Sequence, residues 1–246
     1  MPSGKFINMK KLELKNIKKT YNETIVLDGF SAICDSSKPS CIMGESGAGK
    51  TTLLNIIMGL VSADSGMAGY SFQSGAVMTD GGYRTSAVFQ ETSLVLHLNP
   101  VINVAMVLGH NSDKKRIKQE LGYLIDEEFL DKPCAQYSGG MKRRVEIVRA
   151  IMADSDIVVM DEPFAGLDPI SMGVTARLIR SLNDALGATS LMVTHDVEQT
   201  FEIADYVYMI SSAKVAAQGT PAALRASDDP FVRQFINGLP DGPVHF

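Results

Sequence analysis

Short apolar runs alternate with stretches of helical spacing along most of the chain. Leu12, Leu14 and Ile17 are separated by polar residues, which predicts a half-buried strand, and segment 24–34 indicates a second strand. Segment 40–43 is a short apolar strand that leads through a glycine-rich loop into a buried-helix pattern over 51–60. The N-terminal third is therefore expected to contain strands followed by a strand, a loop and a helix.

The same alternation continues through the rest of the chain. Ile117, Leu121, Leu124 and Ile125 recur at helical spacing, with charged residues on the other side, which predicts an amphipathic helix. Beyond it the pattern predicts a helix over 138–153, a strand over 156–163, a helix over 171–186 and a strand over 189–196. Apolar strands that alternate with helices favour an α/β fold whose parallel sheet is covered on both faces.

Composition and charge narrow the function. The 246 residues carry a net charge of −5, so a basic face that would bind phosphate backbones is not expected, and neither is nucleic acid as a partner. No apolar run approaches the roughly 20 residues of a membrane helix, and the start lacks a secretory signal. The three cysteines lack metal-ligand spacing and are predicted to be reduced and structural.

The glycine-rich loop fits the pattern G-x-x-x-x-G-K-[ST]. In this pattern, known as Walker A, backbone N–H groups and a helix N-terminus surround the phosphates of a nucleotide. The alternative interpretation is a plain glycine-rich turn before a helix. Lys50 is expected to reach the terminal phosphates, and the Thr51 hydroxyl to bind magnesium. The predicted ATP-binding residues of this segment are Gly44, Glu45, Ser46, Gly47, Ala48, Gly49, Lys50, Thr51 and Thr52.

Two carboxylates end the apolar strand over 157–160. Because parallel sheets bind ligands at the carboxyl ends of their strands, Asp161 and Glu162 are placed as in a Walker B motif rather than as an Asp-Glu-Pro strand terminator. Asp161 is expected to hold magnesium, and Glu162 to accept a proton from the attacking water.

A third motif precedes a predicted helix. Ser138, Gly139 and Gly140 follow Tyr137; a Ser caps helices well, and consecutive glycines allow close backbone approach. Together with Walker A and Walker B, these residues resemble the signature of the nucleotide-binding subunits of ATP-binding-cassette (ABC) transporters. Further positions match in order: Tyr21 the aromatic that stacks on adenine, Gln90 the glutamine that senses magnesium and the permease, Asp168 the D-loop, and His195 the switch histidine.

The resemblance implies a fold, a partner and a mechanism. It implies a P-loop NTPase with a RecA-like core, an antiparallel β portion near the N-terminus and a helical ABC subdomain. Two copies would enclose two ATP molecules, because the signature of one chain closes over the Walker A loop of the other. Water would attack the terminal phosphate with Glu162, His195 and Lys50 as catalytic residues and magnesium held by Thr51, Gln90 and Asp161. The cofactors implied are ATP and Mg²⁺.

The resemblance also implies domain bounds and a location. Residues 9–246 are predicted to form a single nucleotide-binding domain, with its ATP-binding core over 9–90 and 150–246 and the helical signature subdomain over 91–149. Residues 1–8 are read as a leader or cloning scar before a native start at Met9. The chain is expected in the cytoplasm, peripheral on the inner face of the membrane. It would bind an integral membrane permease, which chooses the substrate together with any substrate-binding protein.

The composition shifts along the chain. Of the 14 lysines, 13 lie in residues 1–161, whereas alanine rises from 10 in those residues to 11 in the remaining 85. Residues up to about 163 are similar to the ATPases of nitrate, sulfonate and taurine importers, and residues from about 164 to the ATPase that moves phospholipids to keep outer-membrane lipid asymmetry. This contrast leads to the hypothesis that the chain joins two parents, with a natural subfamily of uneven composition as the alternative.

Other functions remain as alternatives. A soluble ABC-type ATPase in translation or DNA repair usually carries two cassettes or a long coiled coil, and a P-loop kinase or GTPase would need an acceptor site or a guanine-reading motif. Neither set of features is seen in the sequence.

The signature reads YSGGM where the family has LSGGQ, which puts in doubt the contacts of its first and last positions.

Overall fold

An antiparallel sheet forms the N-terminal part of the protein. A computed structural model describes residues 11–36, 38–71, 77–79, 83–186 and 188–243, so the predicted leader and the start at Met9 lie outside the described residues. The strand order is β2-β1-β4-β5. These strands are β1 (Lys11–Tyr21), β2 (Thr24–Asp35), β4 (Ser65–Ser71) and β5 (Val77–Thr79).

A second sheet carries the strands that the apolar runs predicted. Its order is β10-β9-β3-β8-β7-β6, and all neighbours pair in parallel except β10, which runs antiparallel to β9 at the edge. The strands are β3 (Ser40–Gly44), β6 (Thr85–Val88), β7 (Ile157–Asp161), β8 (Thr189–Thr194), β9 (Tyr206–Ser211) and β10 (Lys214–Gly219). The predicted α/β fold with a parallel sheet and an antiparallel β portion is confirmed.

Helices connect the parallel strands and form a separate group between β6 and β7. The described helices are α1 (Lys50–Ile57), α2 (Pro100–Leu108), α3 (Lys114–Gly122), α4 (Gly139–Met152), α5 (Pro169–Leu186), α6 (Val197–Ile203), α7 (Pro221–Arg225) and α8 (Pro230–Asn237). Short 3₁₀ turns lie at Gly109–Asn111, Glu127–Phe129 and Cys134–Gln136. Among the described residues, no helix has both the length and the apolar character needed to cross a bilayer.

The parallel sheet is covered on both faces. Along β7, Ile157 and Val159 pack into a core shared with the antiparallel sheet and α1, whereas Val158 and Met160 pack into a core shared with α5 and the C-terminal helices. This alternation follows from the period of two in a strand. A third core holds α2, α3 and one side of α4 together, while the chain division at residues 90 and 149 stays a prediction.

The three cysteines are buried, and none of them forms a disulfide bond in this structure. Burial raises the pKa of both Cys34 and Cys41 to about 12, so neither thiol is a reactive thiolate near neutral pH. Cys134 lies in the helical core.

The core beneath the antiparallel sheet gives a stability prediction. Phe30 on β2 is fully buried and packs near the Tyr208 ring, so Phe30→Ala is expected to lower the free energy of unfolding by about 3–5 kcal/mol, measured by urea denaturation. Ile33 on the same strand is 56% exposed, and Ile33→Ala is the matched control, with an expected loss below about 1 kcal/mol. Equal losses in the two variants would contradict the assignment of the core.

Candidate functional site

The predicted phosphate loop joins β3 to α1 and has the backbone shape that its glycines permit. Gly47 and Gly49 have φ angles of 81° and 95°, in the left-handed region. A Cβ atom at Gly49 would lie 2.6 Å from the Val26 carbonyl oxygen, and one at Gly44 would lie 2.6 Å from the Ile210 carbonyl oxygen. Close packing against β2 and β9 therefore excludes a side chain at both positions.

Lys50 begins α1 and is buried beneath the loop. Its Nζ donates hydrogen bonds to the carbonyl oxygens of Gly44 at 2.8 Å and Glu45 at 2.7 Å. Burial lowers the pKa of Lys50, and the carboxylates of Glu162, Asp161 and Glu45 oppose this shift. The ammonium has three donors, so one remains available to a phosphate in the cleft.

Two of the three predicted magnesium ligands, Thr51 of Walker A and Asp161 of Walker B, are in contact. The Thr51 hydroxyl donates a hydrogen bond to Asp161 Oδ2 at 3.2 Å, and both groups present the oxygen atoms that Mg²⁺ prefers. Burial raises the pKa of Asp161, whereas the hydrogen bond from Thr51 lowers it. This pair fits a magnesium ion shared with substrate phosphates, since Mg²⁺ is usually bound through one or two protein ligands plus phosphate and water.

Glu162 is a buried residue held through its backbone N–H and through both of its carboxylate oxygens. Its backbone lies in the left-handed region at φ 47°, and its N–H donates to the Val193 carbonyl at 2.8 Å. Thr194 Oγ1 donates to Glu162 Oε2 at 2.8 Å, and His195 Nδ1 lies 2.9 Å from Oε1. A non-glycine residue at positive φ is strained by about 1–3 kcal/mol and is typical of active sites. The contacts with Thr194 and His195 fix the direction of the carboxylate, and the Val193 carbonyl fixes the backbone behind it.

A cleft of about 830 Å³ brings most of the predicted residues together. Its walls include the phosphate loop together with Gln90, Asp161, Glu162 and His195. The His195 ring is largely exposed, with 71% of its side chain accessible, although its Nδ1 contacts Glu162. The histidine can therefore reach a ligand in the cleft while it remains in contact with the carboxylate.

The C-terminal segment also lines this cleft, which the sequence reasoning missed. Helix α8 packs its apolar face on the core, and the residues that follow it line the cleft from Gly238, whose φ is 60°. Gly242 lies so close to Gln234 that an added Cβ would meet its side chain at 2.3 Å. The amphipathic pattern of 230–237 was the available signal, but it does not reveal where the helix docks. The additional lining residues are Val26, Gln234, Phe235, Gly238, Leu239 and Pro240.

The predicted signature lies at the start of α4 and contacts the start of α5. The Ser138 hydroxyl caps the helix by accepting from the Met141 N–H at 3.2 Å. A Cβ at Gly140 would lie 2.6 Å from Ser171 Oγ, and Ser171 Oγ in turn donates to Asp168 Oδ2 at 2.6 Å. The signature turn and the predicted D-loop aspartate are thus joined through one serine.

Two aromatic residues have different surroundings. Tyr21 lies at the end of β1, is 44% exposed and has Lys19 Nζ 5.2 Å from its ring centre. It is not among the described residues that line the cleft, so its contact with adenine stays a prediction. Tyr137 is buried, and its hydroxyl donates to the Phe129 carbonyl at 2.7 Å. The unusual first residue of the signature therefore faces the helical core.

The sequence is similar to transport ATP-binding proteins over nearly its whole length. Residues 27–165 match the family described as ABC transporter. The intermembrane phospholipid transport system ATP-binding protein MlaF is 35% identical in Escherichia coli K12, covering 96% of this chain and 91% of that protein. MlaF of Haemophilus influenzae is 37% identical over 98% and 95%. The sulfate/thiosulfate import ATP-binding protein CysA of Yersinia pestis is 33% identical over 92% and 65%.

Solved structures support the fold. The dimeric ATP-binding cassette MJ0796, bound to ADP and Pi, superposes with a TM-score of 0.72 at 24% identity, covering 85% of this chain and 98% of that one. The ATP-binding cassette MJ1267 in its ADP conformation reaches a TM-score of 0.77 at 24% identity, over 94% and 99%. The predicted P-loop fold with a RecA-like core is confirmed.

Asp161 gives a prediction on pH and stability. Because the folded pKa of Asp161 is raised above its unfolded value, its contribution to stability is present at low pH and is lost as the pH rises through the folded pKa. Asp161→Asn keeps an oxygen acceptor for Thr51 without the charge. We expect the variant to melt at a higher temperature than the ligand-free wild type at pH 8, with a difference that shrinks as the pH falls to 4.

Thermal unfolding followed by circular dichroism across this pH range provides the measurement. Asp205→Asn is the control, because this partly exposed carboxylate pairs with Arg180 and neither residue lines the cleft. A melting difference for Asp161→Asn that does not change with pH would show that the charge of Asp161 is not the cause.

Proposed function

This chain belongs to the ABC transporter family, and on that basis we propose that it works as one of two identical ATP-hydrolysing subunits beneath a separate membrane permease. The observation that supports this most directly is the cleft in which Lys50, Asp161, Glu162 and His195 converge. A soluble ATPase in translation or DNA repair remains the alternative from the sequence. The similarity to transport subunits over 96% of the chain favours transport.

In the proposed reaction Glu162 is the general base. Its carboxylate is aimed by Thr194 and His195, so it accepts the proton of a water that attacks the terminal phosphate in line. His195 adjoins the carboxylate and holds the phosphate and the water. Lys50 and the N–H groups of the loop offset the negative charge that develops on the phosphate oxygens. No covalent intermediate with the protein is required.

Thr51, Asp161 and Gln90 are the residues that would hold magnesium. When bound, Mg²⁺ neutralises phosphate charge and orients the terminal phosphate. The Thr51–Asp161 hydrogen bond brings two of these groups within reach of one ion, and Gln90 lines the same cleft. Tyr21 is proposed to stack on adenine.

Two copies are needed for turnover in this proposal. Ser138 and Gly139 are exposed at the start of α4, where they can approach a phosphate held by a second chain. Asp168 is also exposed and lies beside the signature through Ser171. The dimeric state of the cassette MJ0796 supports a pair of this kind. The chain would be peripheral on the inner face of the membrane.

For the substrate we propose phospholipid rather than a small anion. The MlaF matches cover more than nine tenths of both proteins, whereas CysA extends well beyond the matched region.

The match to MlaF is continuous across residue 163, so an origin from two parents is not confirmed and remains a hypothesis. Codon usage that changes at residues 161–168 of the source gene would support a junction, and uniform usage would argue against it.

The assignment of the base is tested by Glu162→Gln. The amide keeps an acceptor for Thr194 but cannot take a proton, so ATP hydrolysis is expected to fall by about 100- to 10,000-fold. The variant is expected still to bind ATP. It is also expected to dimerise when ATP is added, which light scattering would detect. Glu127→Gln, exposed in a 3₁₀ turn that does not line the cleft, is the control with wild-type turnover. Hydrolysis by Glu162→Gln at the wild-type rate would mean that another group is the base.

The substrate class is tested on the complex with its own permease. After purification from the source cell and reconstitution into vesicles, the complex is expected to move a fluorescent phospholipid with ATP and not without it. Sulfate, nitrate and taurine are the competing substrates in parallel uptake assays. Uptake of one of these anions without lipid transfer would overturn the phospholipid assignment and leave the ATPase assignment intact.

A further inference from the structure

One face of α4 is occupied by three charged side chains that contact the loop after β6. Arg143, Glu146 and Arg149 follow one another at intervals of three residues, which places them along the same side of a helix. All three contact the segment 89–93, which we call the glutamine loop because it contains Gln90. The same helix begins with the signature turn at Ser138.

Arg143 binds the glutamine loop through its backbone. Its Nη1 donates to the Phe89 carbonyl, and its Nη2 donates to the Gln90 carbonyl at 3.0 Å. The planar guanidinium can make these two bonds and still pair with a carboxylate, because it carries five donors in a fixed fork. Arg143 Nη1 also lies 3.1 Å from Glu146 Oε2. The position of Gln90 therefore depends on a side chain of the signature helix.

Glu146 and Arg149 hold the other end of the loop. Glu146 Oε1 accepts from the Ser93 N–H at 2.8 Å, and Arg149 Nη1 donates to the Ser93 carbonyl at 3.0 Å. The loop is thus attached to α4 at Phe89, Gln90 and Ser93. Attachment at both ends of this five-residue segment leaves little freedom for the backbone between them.

The burial of the Arg143–Glu146 pair indicates a role other than stability. Only 6% and 2% of the two side chains are exposed. A buried ion pair is a weak source of stability, because desolvation of the two charges offsets their attraction, and apolar side chains of similar volume often serve as well. What apolar side chains cannot do is bind the carbonyl and N–H groups of the glutamine loop.

We propose that Arg143 and Glu146 are positioning residues for Gln90: their buried pair fixes the glutamine loop to the signature helix, so that the two move as one body. The inference rests on the proposed two-chain ATPase, in which Gln90 faces the ATP of its own chain and the signature faces the ATP of the partner. The start of the helix is also joined to Asp168 through Ser171. Occupancy of one ATP site would in this way set the position of the signature at the other site.

The first test replaces both charges by apolar side chains, as Arg143→Met with Glu146→Met. The double variant is expected to fold, because the pair is replaced as a whole and the exposed residues Phe89, Gln90 and Ser93 can bond to water instead. Its kcat for ATP hydrolysis is expected to fall by about 10- to 100-fold, because a displacement of a catalytic group by about 1 Å can have an effect of this size. KM is expected to change less, since the phosphate loop and its Lys50 still bind the phosphates.

A second variant guards against a failure to fold. Arg143→Lys keeps the positive charge beside Glu146, but a single ammonium cannot reproduce the planar fork that binds both carbonyls. We expect a near-normal melting temperature with a reduced kcat. Glu146→Gln keeps an oxygen acceptor for the Ser93 N–H and is expected to retain more activity than the double variant.

A matched control comes from another arginine with the same kind of contacts. Arg180 Nη1 donates to the Ile203 carbonyl and to Asp205 Oδ1, both at 3.0 Å, between α5 and the end of α6. Arg180→Met with Asp205→Met removes a carboxylate pair and a bond to a carbonyl, but leaves the glutamine loop untouched. Its kcat is expected to equal that of the wild type.

The protein contains no tryptophan, which allows a direct measurement of the loop. Phe89→Trp, at a position that is 40% exposed, adds one reporter whose fluorescence anisotropy follows the mobility of the glutamine loop without ATP. Adding Arg143→Met and Glu146→Met to this background is expected to lower the anisotropy, and adding the Arg180 control pair is not. A purely structural role would change the melting temperature and leave the anisotropy alone.

Wild-type kcat together with unchanged anisotropy in the folded double variant, or wild-type kcat in Arg143→Lys, would overturn the inference. Glu162→Gln, measured beside these variants, separates this outcome from a failure of the proposed function. If that variant hydrolysed ATP at the wild-type rate, the catalytic assignment would fail. The anisotropy measured without ATP would still decide whether Arg143 and Glu146 fix the loop.

Discussion

The site depends on three neighbouring parallel strands that end at the same edge of one sheet. β8 lies between β3 and β7, with Met43 opposite Thr194 and Asp161 opposite Val193. The chain leaves β3 into the phosphate loop, β7 into Glu162 and β8 into His195. Because strands buried on both faces cannot shift register without exposing apolar side chains, the two cores hold these three exits side by side.

Glu162 shows how this scaffold supports a strained conformation. Its positive φ is unfavourable for a side chain with a Cβ, and it persists because the next strand supplies compensating contacts at the Val193 carbonyl and the Thr194 hydroxyl. Since both partners belong to β8, the direction of the carboxylate depends on the pairing of β7 with β8. The geometry of the base is therefore a property of the sheet more than of the turn in which it lies.

The sequence predicted those parts of the site that follow from local patterns. Walker A, Walker B and the strand that precedes His195 combine a short motif with an apolar run, so both the residue and its place at the sheet edge could be predicted. The contact of Phe235 and Leu239 with the cleft could not, because it depends on where an amphipathic helix docks. Arg143 and Glu146 were visible only as charges on a predicted helix, and their partners lie more than 50 residues away.

The tyrosine at the first position of the signature can be understood from the packing behind it. Tyr137 in place of the usual leucine fills the helical core, where its ring meets Phe129 edge-on with centroids 5.9 Å apart and its hydroxyl is satisfied by a carbonyl. A buried phenol without such a partner would be costly. The tyrosine therefore alters the inner side of the turn, and Ser138 and Gly139 remain exposed on the outer side. The same turn is held at Gly140 by Ser171 and farther along α4 by the glutamine loop, so its outer surface is shaped by contacts on both flanks and not by the first residue of the motif.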